Sequence, residues 1–134
     1  MKSCIKILSG EKGASAVEFA IILPILVMLV FGIIQFGLAF NKYIAITHAA
    51  REGARLAAVG LDGAPDFFDK VQNSAPTVVI IKVDVTNPPG VIKIGNPVTV
   101  KVTGETFTIN IPMVGKEWSI PLSSTAAMRR EKTY

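Results

Sequence analysis

The sequence has 134 residues, half of them hydrophobic, and a formal net charge of +4 at pH 7. The basic residues are scattered and no aromatic residues are interleaved with them, which argues against nucleic-acid binding. Cys4 is the only cysteine, so one chain cannot form an internal disulfide or a thiolate metal site. A chain of this length has room for one small folded domain beside a membrane span.

The first segment, residues 1–13, is short and polar, and we expect no structural element in it. It carries Lys2, Lys6 and Lys12 against Glu11. A basic stub ahead of an apolar helix favours a cytoplasmic N-terminus. Basic residues also follow the apolar helix, so the predicted N-in, C-out orientation rests partly on the small size of the stub.

The next element is an unbroken apolar run from Phe19 to Phe40, with no charged residue between Glu18 and Lys42. As a helix it is roughly 33 Å long, enough to cross a hydrocarbon core. It lacks the polar stripe of a soluble core helix, and Gln35 is its only strongly polar side chain. We therefore predict a transmembrane helix over 19–40. A cleaved secretory signal is the alternative, but the helical pattern continues well past the run.

Glu18 is the notable residue at the start of this run. A charge in hydrocarbon costs about 2.5–3.5 kcal/mol on insertion scales, and ionisable residues there are usually functional. Glu18 either marks the membrane boundary and reaches the headgroups, or has a role inside the membrane. The spacing alone leaves both explanations open.

Three motifs resemble the TadE-like family, the pseudopilins or minor pilins of the tight-adherence (Tad, Flp-type) pilus. They are VEFA…LP at 17–24, FGIIQFG at 31–37 and AAREGAR at 49–55. The resemblance is strong over about residues 13–60 and covers the remainder only by general layout. Phe19 stands where the major pilins more often carry Tyr, which fits a minor component.

This resemblance implies a processing site. In the wider pilin superfamily a prepilin peptidase cuts after a glycine, and a glutamate is the fifth residue of the mature chain. Gly13 would end the leader, Ala14 would carry the new α-amine, and Glu18 would be the fifth residue. We expect the Glu18 carboxylate to pair with the Ala14 amine of a neighbouring subunit during assembly.

Four residues of the span are candidates for helix packing: Phe19, Pro24, Gly32 and Gly37. An interior proline removes one helix hydrogen bond, which neighbouring helices can offset in a bilayer. Glycines permit close helix approach. Ordinary tolerance of Gly and Pro in membrane helices explains the same residues equally well.

The helix is predicted to continue beyond the span and to cover Ala14 to Val59, about 70 Å in all. Turn-forming residues then end it: Gly60, Asp62, Gly63 and Pro65. One face carries an apolar stripe of mostly small residues: Tyr43, Ile46, Ala50, Ala54, Ala57 and Leu61. The other face carries four polar residues: His48, Arg51, Glu52 and Arg55. These four form either a solvated surface or a contact face for a partner subunit. His48 is a lone histidine beside arginines, which argues against a metal site.

The rest of the chain is predicted to be a small β domain. A short helix over 66–74, anchored by Phe67, Phe68 and Val71, precedes strands over 79–86, 91–94, 98–103, 106–111 and 118–128. In the first strand Val79, Ile81, Val83 and Val85 should share the dry face, and in the last Ile120 and Leu122 should point inward. The alternation suits an antiparallel sheet with one covered face, for which the helix stripe is the obvious cover. The predicted fold is α+β and pilin-like.

The predicted domains are a leader over 1–13, a long helix over 14–60 and an extracytoplasmic β-rich domain over 61–134. Asp62, Asp66 and Asp69 cluster in the linker after the helix, where helix capping and solvation compete with weak calcium binding. No catalytic set emerges, because His48 is the only histidine and no phosphate-binding loop joins a strand to a helix. We expect no enzyme activity, cofactor, nucleic acid or small-molecule substrate.

The resemblance implies three partners: the inner (cytoplasmic) membrane, a prepilin peptidase, and other pilins or pseudopilins of the Tad system. The function it implies is that of a minor pilin taking part in pilus assembly and adhesion. The alternative is a single-span anchor that never polymerises and displays a β domain to a partner outside the membrane.

Overall fold

The computed structural model describes residues 10–87, 93–110, 115 and 117–132. It confirms the predicted α+β, pilin-like layout of a long N-terminal helix and a small antiparallel β domain. The elements are α1 (Gly10–Ala58), α2 (Phe67–Asn73), β1 (Ile80–Thr86), β2 (Pro97–Gly104), β3 (Phe107–Asn110), β4 (Glu117–Ile120) and β5 (Ser123–Arg129).

The helix α1 begins at Gly10, four residues before the predicted Ala14, so the expectation that residues 1–13 hold no structural element is wrong for residues 10–13. It is continuous through Pro24 and ends one residue before the predicted boundary. Gly60 adopts a φ of +82°, a left-handed conformation that favours glycine. The Leu61 amide donates to the Leu56 carbonyl at 2.9 Å, and the Gly60 amide donates to the Ala57 carbonyl at 3.1 Å. This hydrogen-bond pattern is the Schellman motif, which satisfies the last helix carbonyls and turns the chain toward α2.

The core lies between the outer part of α1 and a three-stranded sheet in the order β1-β2-β5. Val98, Val100 and Val102 on the central strand are fully buried, as the predicted alternation requires. The helix side of the core consists of five alanines, one isoleucine and one leucine: Ile46, Ala49, Ala50, Ala54, Leu56, Ala57 and Ala58. Small residues let the sheet lie close to the helix axis, and a Cβ on Gly53 would be 3.0 Å from Val100 Cγ1.

The prediction that the apolar stripe of the helix is covered is wrong at both of its ends. Tyr43 is half exposed because the covering sheet does not extend to it. Leu61 is exposed because the helix has already ended at Ala58. The middle of the stripe is buried as predicted.

The dry face predicted for β1 is wrong in its first half. Ile80 is 4% exposed and Ile81 is 65% exposed, the reverse of the prediction. The pairing with β2 shifts register between Ile80 and Lys82. Such an irregularity inserts one residue and exchanges the two faces of the strand, so Val83 and Val85 return to the half-buried side.

The predicted last strand is two strands in two sheets. Pro121 has no amide hydrogen to donate and separates β4 from β5. The strand β4 pairs with β3 in a separate hairpin, whereas β5 pairs with β2. Leu122 is buried as predicted, but Ile120 is exposed because it belongs to the hairpin.

Three smaller predictions have mixed outcomes. The short helix exists, but of its three predicted anchors Phe68 is exposed. The predicted strand over 91–94 lies partly outside the described residues, and Lys93 and Ile94 are not in a strand. The last residue predicted for β3, Ile111, also lies outside the described part of the chain.

Candidate functional site

The helix α1 divides into two parts with different surroundings. Residues 13–44, which we call the bare segment, have large apolar side chains that are 37% to 67% exposed, from Val17 to Ile44. Residues 45–58, the packed segment, carry the helix side of the core. In the described part of the chain, α1 is the one helix long and apolar enough to cross a membrane, and its most apolar stretch is not buried by the protein. This is the layout of a single-pass membrane protein.

The residues of the predicted processing site lie at the start of the bare segment. Gly13, Ala14 and Glu18 are all exposed and helical. Ala14 and Glu18 are four residues apart, so they lie on one helix face about 6 Å apart along the axis. Among the described residues, none forms a salt bridge with the Glu18 carboxylate. A compensating charge for Glu18 would therefore have to come from outside the described part of the chain.

Three of the residues predicted to pack against other helices, Phe19, Gly32 and Gly37, are not covered by the rest of the chain. A Cβ added to Gly32 or Gly37 would meet nothing within 4 Å, and Phe19 is exposed. The two glycines are five positions apart in the sequence, so they point about 140° apart around the helix. They mark two notches on different sides of the span, each available to a neighbour.

The polar face of the packed segment lines an open cleft of about 540 Å³. The structure brings the four predicted residues, His48, Arg51, Glu52 and Arg55, together and adds residues from α2 and β5: Lys70, Asn73, Ser74 and Met128. The cleft thus combines three cationic side chains, one histidine and one carboxylate at the junction of three elements.

One ion pair organises the charge in this cleft. Arg55 donates from Nε to Glu52 Oε2 at 2.9 Å and from Nη2 to Glu52 Oε1 at 2.6 Å. The hydrogen bonds from Arg55 lower the pKa of the Glu52 carboxyl, and the same contact raises the pKa of the Arg55 guanidinium. Glu52 is engaged with Arg55 and Lys70 with Asp66, so Arg51 is the cation of the cleft that has no ion pair among the described residues.

Of the three aspartates after α1, Asp69 is exposed, as the predicted solvation requires, whereas Asp62 and Asp66 form ion pairs. Asp66 occupies the N-cap position of α2 but makes no side-chain capping bond. Its carboxylate pairs with Lys70 Nζ at 2.7 Å, which lowers the pKa of Asp66. Asp62 instead pairs with Arg130. Within the described residues, no three His, Cys, Asp or Glu side chains gather at a metal-binding distance.

Arg130 is the residue that sequence reasoning missed. The predicted strands end at residue 128, and no role is predicted for Arg130, yet it is 2% exposed. Its Nη2 atom donates to Asp62 Oδ2 at 2.8 Å and to Asn87 Oδ1 at 2.9 Å, while Nη1 lies 3.3 Å from Asp62 Oδ1. The next amide, of Glu131, donates to the Ala58 carbonyl at 2.8 Å. The end of β5 is thereby attached to the end of α1, and no local pattern links residues 68 apart in the chain.

The fold and the bare segment define a class, that of pilin-like proteins with one membrane-spanning helix and a small β domain on its outer part. Within that class, residues 13–55 match the family model described as TadE-like protein. The match confirms the resemblance seen in the sequence, and it contains both the predicted processing site and the four polar residues of the cleft. No curated protein and no solved structure matches the chain.

Proposed function

We propose that this chain is a minor pilin, or pseudopilin, of a Tad pilus that is cut after Gly13 and assembles through α1. The observation that carries the proposal is the bare segment, an exposed apolar helix within the family match that begins with Gly13, Ala14 and Glu18. Its N-terminus would lie in the cytoplasm and its β domain outside the inner membrane. In this role the protein is the substrate of a prepilin peptidase and not itself an enzyme.

Processing supplies the charge that the bare segment lacks. Hydrolysis of the peptide bond after Gly13 releases the leader and leaves a protonated α-amine on Ala14. The amine and the Glu18 carboxylate then stand about one turn apart on an apolar helix, where either charge alone is costly in lipid. Two adjacent helices displaced axially by about 6 Å would bring the amine of one level with the carboxylate of the other.

This pairing selects the axial register of the assembly. A charge pair in a low-dielectric setting is held by short hydrogen bonds, and a misaligned helix leaves both charges unpaired. Gly32 and Gly37 allow neighbours to approach on two sides of the same helix. The cleft around Arg51 and Arg55 lies on the outer part of α1, where it is available to a second subunit or to an adhesion partner.

Processing is tested by sequencing the N-terminus of the protein from cells that contain the peptidase. We expect Ala14 as the first residue. A Gly13→Leu variant should remain as a larger, uncut band, because the added side chain occupies the position next to the scissile bond. Gly10→Leu is the matched control and should be cut normally. An intact Met1 in the wild-type protein would contradict the proposal.

The charge pairing is tested separately with Glu18→Gln, which keeps the shape of the side chain and removes its charge. We expect normal membrane insertion and cleavage but a strong loss of pili, counted by electron microscopy or by surface adhesion. Glu18→Asp, which keeps the charge, should retain part of the piliation. Normal piliation by the Gln variant would eliminate the pairing while leaving the processing result intact.

A second candidate is a single-span anchor that presents the outer domain without polymerising. It is favoured by the cleft, which is complete within one chain. The N-terminal sequence separates the two: an uncut protein that stays in the membrane and is missing from purified pili supports the anchor.

A further inference from the structure

The β3–β4 hairpin leaves the main sheet and runs along α1 toward the membrane span. Lys42 Nζ pairs with Glu105 Oε1 at 2.9 Å and lies 5.4 Å from the centroid of the Phe107 ring. Farther along β3, the Asn110 carbonyl lies 3.5 Å from Gln35 Nε2. The strand therefore descends beside the helix from the level of Lys42 to that of Gln35, about 10 Å.

The position of this hairpin limits how far the hydrocarbon core can reach. A two-stranded sheet has unpaired backbone groups on both edges, and such edges are not tolerated in contact with lipid tails. They are acceptable among headgroups, where water is present. The hydrocarbon boundary should therefore lie near Gln35 and not at Phe40, the end of the apolar run.

The hairpin also carries the side chains expected at that depth. Trp118, which pairs across the hairpin with Ile109, is 48% exposed. Beside it lies an open groove of about 300 Å³ between helix and hairpin, whose lining is almost entirely apolar: Phe36, Ala39, Phe40, Tyr43, Ile120 and Leu122. Trp and Tyr are enriched at membrane interfaces, because their rings are apolar while their polar atoms contact water or headgroups.

We propose that the β3–β4 hairpin is a membrane-interface element, with Trp118 and this groove packed against lipid at the C-terminal end of the span. The groove is continuous with the bare segment, which supports lipid as its occupant. The hairpin would set the depth of α1. A core of about 30 Å measured back from Gln35 covers about 20 residues and reaches Ser15. Glu18 would then lie inside the hydrocarbon, even in a protein that never polymerises.

The chain contains a single tryptophan, so its fluorescence reports on Trp118 alone. The full chain is reconstituted in phosphatidylcholine vesicles that contain lipids brominated either near the carbonyl end of the acyl chain or near its terminus. We expect blue-shifted emission, a large loss of emission with bromine near the carbonyl end, a smaller loss with bromine near the terminus, and weak quenching by aqueous iodide.

The matched control moves the tryptophan to the far side of the domain with the double substitution Trp118→Phe and Phe68→Trp. Phe68 is exposed on α2, and Val71 of the same helix packs at Gly53, about 27 Å along α1 from Gln35. Its emission should be quenched by iodide and unaffected by brominated lipid.

Two results would overturn the proposal. Iodide quenching of Trp118 equal to that of the control would place the hairpin in water. The second result is that Trp118 is shielded from both iodide and brominated lipid, and that this shielding disappears when the protein is diluted in lipid. It would show that another copy of the chain covers the groove. Neither result depends on cleavage after Gly13 or on pilus formation, so failure here is distinguishable from failure of the proposed function.

Discussion

The two parts of α1 are equally helical but are built from different apolar residues. The bare segment consists largely of Ile, Leu, Val and Phe, and these side chains project from the protein. The packed segment buries mainly alanines against the valines of β2. Large apolar side chains maximise contact with lipid, whereas small ones let a sheet approach the helix closely. Hydrophobicity alone therefore does not indicate which part of this helix forms the protein core.

The bare segment and the packed segment also differ in their charged residues. Glu18 is the only charged residue in the bare segment before Lys42, and it has no salt-bridge partner among the described residues. The packed segment carries Arg51, Glu52 and Arg55 on its outer face, where water and the Glu52–Arg55 pair compensate them. The bare segment is thus suited to meet other molecules, and the packed segment to hold the outer domain.

The largest expected effect comes from breaking the buried pair that attaches β5 to the end of the packed segment. Arg130→Met should lower the free energy of unfolding of the β domain by about 3–5 kcal/mol, because the largely buried Asp62 carboxylate loses its guanidinium partner. Thermal unfolding of the full chain in detergent micelles, followed by circular dichroism, measures this change.

Two variants control for that experiment. Arg129→Met removes the adjacent, exposed arginine, whose Nε donates to the Gly95 carbonyl, and should cost less than about 1 kcal/mol. The double variant Asp62→Asn with Arg130→Met should recover part of the loss, because no charge remains buried. Equal melting temperatures for the two single variants would show that the pair does not hold the domain.

An intermediate effect on stability is expected when a glycine of the packed segment is replaced by leucine, in comparison with the same substitution in the bare segment. Gly53→Leu introduces a side chain where even a Cβ would be 3.0 Å from Val100 Cγ1 and 3.4 Å from Val71 Cγ2. It should destabilise the outer domain by about 1–3 kcal/mol through overpacking. The matched variant, Gly37→Leu, meets nothing within 4 Å and should leave the melting temperature of the same domain unchanged.

Counting pili in cells that carry the Gly37→Leu variant tests whether the bare segment contacts other subunits. If the bare segment packs against other subunits, Gly37→Leu should reduce piliation although its outer domain is as stable as that of the wild type. A Gly37→Leu protein that assembles normally would mean that this notch faces lipid.

The smallest effect is expected from the exposed pair on the packed segment. Glu52→Gln should reduce stability at pH 7 by a few tenths of a kcal/mol. The folded-state pKa of Glu52 is lowered by Arg55, so the contribution is present above the unfolded pKa of about 4.3 and is lost as the pH falls through the folded value. The difference in melting temperature between the wild type and the variant should therefore shrink as the pH falls below the unfolded pKa, and a difference that grows on acidification would contradict this assignment.

Much of the fold was predictable, because the helix end and the strand alternation depend on the order of neighbouring residues in the sequence. The helix end at Gly60 and the alternation of Val98, Val100 and Val102 each depend on neighbours in sequence, and each was confirmed. The prediction for β1 failed because one irregularity between Ile80 and Lys82 exchanges the two faces of the strand. The prediction for residues 118–128 failed because Pro121 divides two strands that belong to different sheets.

Some residues of the candidate site could likewise be identified from the sequence, and others could not. The positions of Gly13, Glu18 and the glycines of the span could be read from the sequence, since a helix fixes the spacing of its own residues. The contribution of Lys70 and Met128 to the cleft beside His48 could not, because these residues are brought there by α2 and β5. Nothing local pairs Arg130 with Asp62 either.

The sequence by itself determined the apolar span and the end of the long helix, because helical spacing and apolar runs are local properties. Only the tertiary structure decided where the buried stripe of α1 begins and ends, with Tyr43 and Leu61 left outside the core. It alone showed that Arg130 is buried and that the β3–β4 hairpin descends to the level of Gln35. The reason is that burial and strand pairing depend on which distant segments meet, and no spacing within one segment specifies that.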